Sequence, residues 1–217
     1  TRQVPPERLA AHAAVGELAL DGRVRPVFGA LAVAEGARRA GLTRVVCAVE
    51  SAAEVALAGV EPVPVAHLGQ AVAYFRGEID APGFDPLPPD SLDPEPVPDL
   101  ADVRGQERGR RALEIAAAGS HNLLLMGPPG TGKTMLARRL PGILPALTRE
   151  EALEVTRIHS VCGLLPPERP LITVAPFRSP HHGASAPAIV GGGPGPRPGE
   201  VSLAHRGVLL MDELPEF

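Results

Sequence analysis

The clearest chemistry in this 217-residue chain sits in one short run, Gly127-Pro-Pro-Gly-Thr-Gly-Lys-Thr134. Its spacing is G-x-x-x-x-G-K-[ST], the pattern of a loop that wraps phosphate. Glycines at 127, 130 and 132 let the backbone turn where a β-carbon would obstruct it, so successive N–H groups converge on phosphate oxygens. The start of the following helix adds partial positive charge at the same point. Lys133 supplies an ammonium for the outer phosphates, and Thr134 offers a hydroxyl to Mg2+. Lys133 is also the single lysine in a chain that otherwise uses arginine as its cation. The alternative, a plain turn in a protein with 24 glycines and 26 prolines, does not explain that lysine or the complete spacing.

A second run, Gly207-Val-Leu-Leu-Met-Asp212-Glu213, reads as a buried parallel strand ending in two carboxylates. Open α/β sheets bind ligands at the carboxyl ends of their strands. There Asp212 would hold Mg2+ and Glu213 would act as general base on an attacking water. By itself this pattern is often a strand meeting solvent; set about 80 residues after the phosphate loop, it gains meaning.

The positioning elements follow from periodicity and caps. Asn122–Met126 reads as a buried strand leading into the loop, and Lys133–Leu140 as a helix leading out, stopped by Pro141. Glu107–Ala118 reads as a helix closed by Gly119, and Thr148-Arg-Glu-Glu151 as a capping box. Leu171–Val174 and Val208–Met211 read as short strands. Strands alternating with helices predict a parallel sheet with helical faces.

Residues 82–98 hold seven prolines and four acids and read as an extended linker. Before it lies a small α/β or α+β unit. Asp21-Gly22 marks a hairpin, Gly29–Arg39 a helix, Arg44–Ala48 and Glu61–Val65 strands, and Ser51-Ala-Ala-Glu54 a second capping box. Leu68, Val72 and Phe75 mark one face of a further helix. The expected domains are thus 1–81, the linker 82–98, and 99–217.

Composition excludes other classes. Hydrophobic residues at 44% rule out a disordered polar tail, and no apolar run is long enough to cross a bilayer. A net charge of −4 excludes a uniformly basic nucleic-acid coat. Two cysteines, Cys47 and Cys162, make no disulfide framework, so the expected compartment is the cytoplasm. His159 and Cys162 have a ligand-like spacing, but with His181, His182 and His205 they read as unrelated groups and not as a zinc site. Arg104, Arg108, Arg110 and Arg111 read as a solvated helix face or subunit contact.

Taken together, Asp102-Val-Arg-Gly-Gln106, the phosphate loop and the Asp-Glu strand resemble an AAA+ ATPase. More narrowly, four runs resemble the magnesium-chelatase-like family of the YifB/ComM type: Pro176-Phe-Arg-Ser-Pro-His-His182, Gly191-Gly-Gly193, Arg197-Pro-Gly-Glu-Val-Ser-Leu-Ala-His205 and Asp212-Glu-Leu-Pro-Glu-Phe217. Gly16-Glu-Leu-Ala-Leu-Asp-Gly-Arg-Val-Arg-Pro26 through Gly41 resembles the second half of a Lon-protease-like, ribosomal-S5-like domain. Lon proteases carry a lysine shortly after the matching turn; Pro26-Val-Phe-Gly29-Ala-Leu-Ala-Val has none, so peptidase activity is not expected.

The resemblance implies an α/β P-loop NTPase core of three layers, incomplete, after a small S5-like domain. It implies ATP and Mg2+ as cofactors. Gly127, Pro128, Pro129, Gly130, Thr131, Gly132, Lys133, Thr134 and Met135 would contact the nucleotide, with Val103 and Gln106 near adenine; Gln106 reads equally as a plain helix-start residue. Thr134 and Asp212 would hold the metal, and Glu213 and Lys133 would be catalytic. A hexameric ring of copies is implied, with no membrane. DNA remodelling, such as branch migration in recombination, is the implied task. The alternatives are a metal-insertion motor of the magnesium-chelatase type and a nucleotide-binding scaffold without turnover. Ala184–Ser202 resembles an insert facing the ring pore, where Arg197 and Arg206 could meet nucleic acid; its bland reading is a surface loop. His181 and His182 would fix that insert or sense nucleotide. Sensor, arginine-finger and lid segments have no counterpart in these residues, so the chain reads as a fragment that binds ATP and turns it over poorly.

Overall fold

The computed structural model describes residues 4–85, 97–166, 169–193 and 195–217. The expected linker therefore lies largely outside the described residues. Two compact units emerge: one from Thr1–Asp93 with Thr156–Leu171, the other from Pro94–Val155 with Ile172–Phe217.

In the first unit, α1 (Pro6–Ala10) leads into β1 (His12–Val15) and the short strands β2 (Glu17–Leu18) and β3 (Val24–Arg25). There follow α2 (Ala30–Arg39), β4 (Arg44–Ala48), α3 (Ala52–Leu57), β5 (Glu61–Val65) and α4 (Leu68–Arg76). β1, β4 and β5 form a parallel sheet in the order β1-β4-β5, and β2 pairs antiparallel with β3 across the Asp21-Gly22 turn. β4 is central and its Val45, Val46, Cys47 and Ala48 are all buried, as a parallel strand covered on both faces requires. Val46, Val63 and Val65 pack against Ala71, Tyr74 and Phe75 of α4. The helix face thus runs through Ala71, Tyr74 and Phe75; Leu68, expected on it, is 45% exposed.

The capping box expected at Ser51–Glu54 does not form. Ser51 makes no capping bond, and the Glu54 carboxylate accepts instead from the Leu31 N–H at the start of α2 and from the Ser160 hydroxyl. A tertiary donor has taken the acceptor that the local motif would have used. Buried Glu35 is likewise matched, by Arg39 and by Arg157 of the same unit.

The second unit contains α5 (Glu107–Gly119), α6 (Lys133–Ala137), α7 (Arg149–Val161), β6 (Phe177–Arg178), α8 (Ala186–Val190), β7 (Gly191–Gly192), β8 (Arg197–Pro198), α9 (Glu200–Leu203) and β9 (Val208–Leu209); the last turns of α7 belong to the first unit. Its core joins Leu100, Val103, Leu113 of α5 and Leu136 of α6, with Leu125, Leu140 and Ile143 beside them. The box at Thr148 forms: the Thr148 N–H donates to Glu151 Oε2 at 2.9 Å, and the Glu151 N–H donates to Thr148 Oγ1 at 3.3 Å. α5 is closed by Ser120, not Gly119, in the left-handed conformation (φ 51°).

Three strand expectations change. Residues 122–126 form no strand and pair with none among the described residues; Leu124 is 68% and Met126 84% exposed. An apolar run becomes a buried strand only where both its edges and both its faces find partners, and here Leu125 alone reaches the core. Leu171–Val174 is not a strand either; β6 lies just beyond Pro176 and pairs in parallel with β9, which is shorter than expected. The structure is mixed α/β, with parallel pairs in both units beside the antiparallel pairs β2–β3 and β7–β8.

Candidate functional site

The phosphate loop enters α6 through Gly132, which sits at φ 82° as the helix N-cap, a left-handed conformation that disfavours any β-carbon. The turn is stitched from within: Thr131 Oγ1 donates to the Pro128 carbonyl at 2.9 Å. Lys133 Nζ donates to the carbonyls of Gly127 (2.9 Å) and Pro128 (3.0 Å), so the ammonium lies against the loop. Gln106, itself left-handed at φ 56°, donates from Nε2 to the Thr131 carbonyl at 2.7 Å and ties the start of α5 to the loop. Val103 is buried against Leu136, the core residue of α6. Both residues expected near adenine therefore brace the loop and its helix. Met135 is partly exposed on α6.

The carboxylates arrive by a different route. Gly207 passes so close to Pro176 that a β-carbon there would collide with the Pro176 carbonyl oxygen. The Val208 N–H donates to Pro176 O, and the Leu210 N–H to Arg178 O, both at 2.8 Å. β6 is in turn held by a two-pronged Arg178–Glu200 pair at 2.5 and 2.6 Å. The segment before β9 is anchored by Arg206 (φ 60°) and His205 on Glu151 and Glu154 of α7. The Thr148 backbone N–H holds the Glu151 carboxyl below its usual range, and the His205 hydrogen bond, then Arg206, does the same for Glu154.

These two routes converge. Thr134 Oγ1 donates to Asp212 Oδ2 at 2.8 Å across 78 residues of sequence. Asp212 Oδ1 accepts the Glu213 N–H at 3.2 Å, and Glu213 stands at φ 57°. Three non-glycine residues of this neighbourhood, Gln106, Arg206 and Glu213, thus occupy the left-handed region, each at a cost of about 1–2 kcal/mol. Such strain concentrates where placement matters.

A hydroxyl and a carboxylate in contact are hard oxygen donors, suited to a small divalent cation that takes its other ligands from phosphate and water. The donor set fits Mg2+. No group of three or more His, Cys, Asp or Glu able to hold a metal occurs among the described residues. The first unit has a cavity of about 210 Å³ lined in part by Phe28, Glu54 and Ser160, and it contains none of the expected site residues.

The family model of magnesium chelatase, subunit ChlI, matches residues 99–217. The chain belongs to the magnesium-chelatase-like family of YifB and ComM. It is 51% identical over its whole length to the uncharacterized protein YifB of Salmonella typhimurium, and 51% identical over 98% of its length to an uncharacterized protein of Mycobacterium tuberculosis. It is 44% identical over 94% of its length to the competence protein ComM of Haemophilus influenzae. The chain spans 42%, 42% and 40% of these relatives, respectively. A putative lon protease homolog of Methanothermobacter thermautotrophicus is 37% identical over 79 residues. No helix among the described residues is long and apolar enough to cross a membrane.

Residue types and spacing do not single out Arg178, Glu200, or the contact of Gln106 with Thr131. The left-handed backbone at Gln106 has no signature in an ordinary residue type. The parallel register of β6 and β9, which places Arg178, is carried by only two residue pairs.

Proposed function

We propose that this chain carries the ATP-binding and hydrolysing site of an AAA+ motor. The Thr134–Asp212 hydrogen bond supports the reading most, because it joins the hydroxyl of a phosphate-wrapping loop to the carboxylate at a strand end. The loop amides and Lys133 bind and orient the β- and γ-phosphates. Thr134 and Asp212 hold Mg2+, which supplies charge neutralisation at the phosphates. Glu213 takes the proton of the water that attacks the γ-phosphorus as the bond to the β-phosphate oxygen breaks. Val103 and Gln106 set the adenine side of the site through the start of α5.

The whole protein works as a hexameric ring in the cytoplasm, and its task is remodelling DNA. The name of the Haemophilus relative, a competence protein, supports that direction. The ChlI description of the family model favours a second reading, a motor that drives metal insertion. Residues 1–81, with the Asp21-Gly22 hairpin and a parallel sheet, are the end of an S5-like domain, joined through 82–98 to the ATPase core of 99–217.

One experiment on the whole protein tests hydrolysis. Glu213→Gln keeps ATP binding and lowers kcat by about 10²- to 10⁴-fold; wild-type turnover in that variant removes Glu213 as the base. Adding forked or single-stranded DNA across a salt series separates the two tasks. Stimulation that fades with salt supports the DNA motor, and its absence supports metal insertion.

A further inference from the structure

The cavity of about 210 Å³ in the first unit has a chemistry of its own. Three segments of that unit wall it: the turn 26–28 after β3, residues 50–54 at the start of α3, and the chain from Ser160 onward at the end of α7. Ser160 ties the three together. Its carbonyl accepts the N–H of Gly29 at 3.1 Å and of Gly163 at 2.9 Å, and its hydroxyl donates to Glu54. Gly163 stands at φ 69°, and a β-carbon there would collide with the Phe28 ring. The ring therefore lies against bare backbone, and the cavity is formed without a ligand.

Its polar groups are unevenly used. Glu54 Oε1 accepts both the Leu31 N–H, at 2.7 Å, and the Ser160 hydroxyl, whereas Oε2 accepts nothing among the described residues. Ser51 is only 4% exposed, yet its hydroxyl has no hydrogen-bond partner among the described residues. A buried hydroxyl without a partner is costly, and this one lines the cavity, where a ligand can reach it. Glu50 adds a second carboxylate, and none of the described residues that line the cavity is basic.

Acceptors without donors call for a cation. The remaining walls, among them Phe28, Pro26, Pro166 and Pro170, are apolar and suit the methylene stem of a long basic side chain. Phe28 also offers an aromatic face to the charge. A volume of 210 Å³ equals about seven waters at ~30 Å³ each. That is below the roughly 300–1,000 Å³ of small-molecule pockets and is the scale of one side chain. The rim continues the apolar surface: Phe28 is 73% exposed, and Val161 and Leu164, on the third wall segment, are 45% and 47% exposed. A side-chain-sized hole within an apolar rim is the form of an anchor pocket.

We propose that this cavity anchors a basic side chain, lysine or arginine, presented by an apolar-flanked segment of a partner polypeptide. The cation meets Glu54 Oε2 and the Ser51 hydroxyl, its stem lies along Phe28 and the prolines, and the flanking residues cover the rim. The site shares no residue with the phosphate loop or the Asp-Glu strand, so it stands or falls apart from the nucleotide reading.

The test titrates the whole protein with N-terminally labelled fluorescent pentapeptides, Ala-Leu-Xaa-Leu-Ala, carrying lysine, arginine or norleucine at the centre, and then adds n-butylamine as competitor. The lysine and arginine peptides are expected to saturate with Kd below about 1 mM. Norleucine, a lysine-like stem without the ammonium, binds at least about tenfold more weakly. Glu54→Gln lowers the affinity for the lysine peptide by about tenfold or more and leaves that for the norleucine peptide unchanged. Ser51→Ala removes a hydroxyl that holds nothing else and lowers it by about three- to tenfold. ATP affinity is unchanged in both variants. Should Glu54→Gln not fold by circular dichroism, Ser51→Ala and Glu50→Gln carry the test. Equal affinity for the lysine and norleucine peptides, no saturable binding of either basic peptide, or wild-type affinity in the folded variants overturns the proposal. Displacement of the lysine peptide by n-butylamine at that peptide's own Kd overturns the polypeptide partner in favour of a free amine.

Discussion

β4 in the first unit and residues 122–126 in the second are both short apolar runs, yet they end in opposite environments. Val45, Val46, Cys47 and Ala48 are paired on both edges and buried on both faces. Leu123, Leu124 and Met126 are exposed and unpaired among the described residues, although they lead directly into the phosphate loop. The first unit commits its hydrophobicity to a closed sheet. The second uses a small core at Leu100, Val103, Leu113 and Leu136 and holds its site with directional polar bonds. Burial makes a region resist change; hydrogen bonds aimed at a loop let it be both positioned and reachable by a ligand.

Substitution by alanine sharpens that contrast most. Leu31 is fully buried, so Leu31→Ala should cost about 3 kcal/mol of stability by denaturant unfolding. Leu124→Ala, on the exposed run, should change stability by less than about 0.5 kcal/mol. Similar losses at the two sites would erase the distinction.

A smaller effect is expected where the second unit relies on polar pairs. Arg178→Ala removes both prongs on Glu200 and loosens β6, at about 1–2 kcal/mol in the same unfolding measurement. The accompanying sign is a weakened Mg2+ requirement for ATP binding, because β6 positions β9 and hence Asp212.

The smallest effect is one of pH. Glu151 and Glu154 titrate below the ordinary 4.5 in the folded chain, held by Thr148 and by His205 and Arg206, respectively. Folding lowers these pKa values, so their contribution is present above about pH 4.5 and lost as pH falls through the lowered folded values. Melting temperatures of wild type and Glu154→Gln between pH 3 and 6 should converge at the acid end. Curves that stay parallel would show that the anchor before β9 does not depend on this charge. By contrast Cys47, its thiol pushed up to about 12 by burial in β4, should resist alkylation at neutral pH until the first unit unfolds.

Some of this is legible in the local grammar of the chain. The strands β4 and β5, the hairpin at Asp21-Gly22, the Thr148 box and the glycine pattern of the phosphate loop follow from residue type at fixed spacing, whereas β1 at the sheet edge is not read from the sequence. The Asp-Glu pair is legible too, but only as a strand end. What spacing does not carry is any contact made by register or by competition. Glu54 leaves its box for donors from Leu31 and Ser160. Gln106 bends left-handed to reach Thr131, and β6 joins β9 in parallel through only two residue pairs. Residues 122–126 show the same limit from the other side, since apolar content states a demand for cover and not whether cover is met.

The proposed nucleotide site turns on Lys133 and the loop beneath it gripping a triphosphate. Equilibrium binding of a fluorescent ATP analogue with Mg2+, compared between the wild-type chain and Lys133→Ala, tests this most directly. A loss of affinity of about 100-fold or more, with the fold intact by circular dichroism, is the predicted result. Equal affinity in the two proteins would contradict it and return the loop to being a turn.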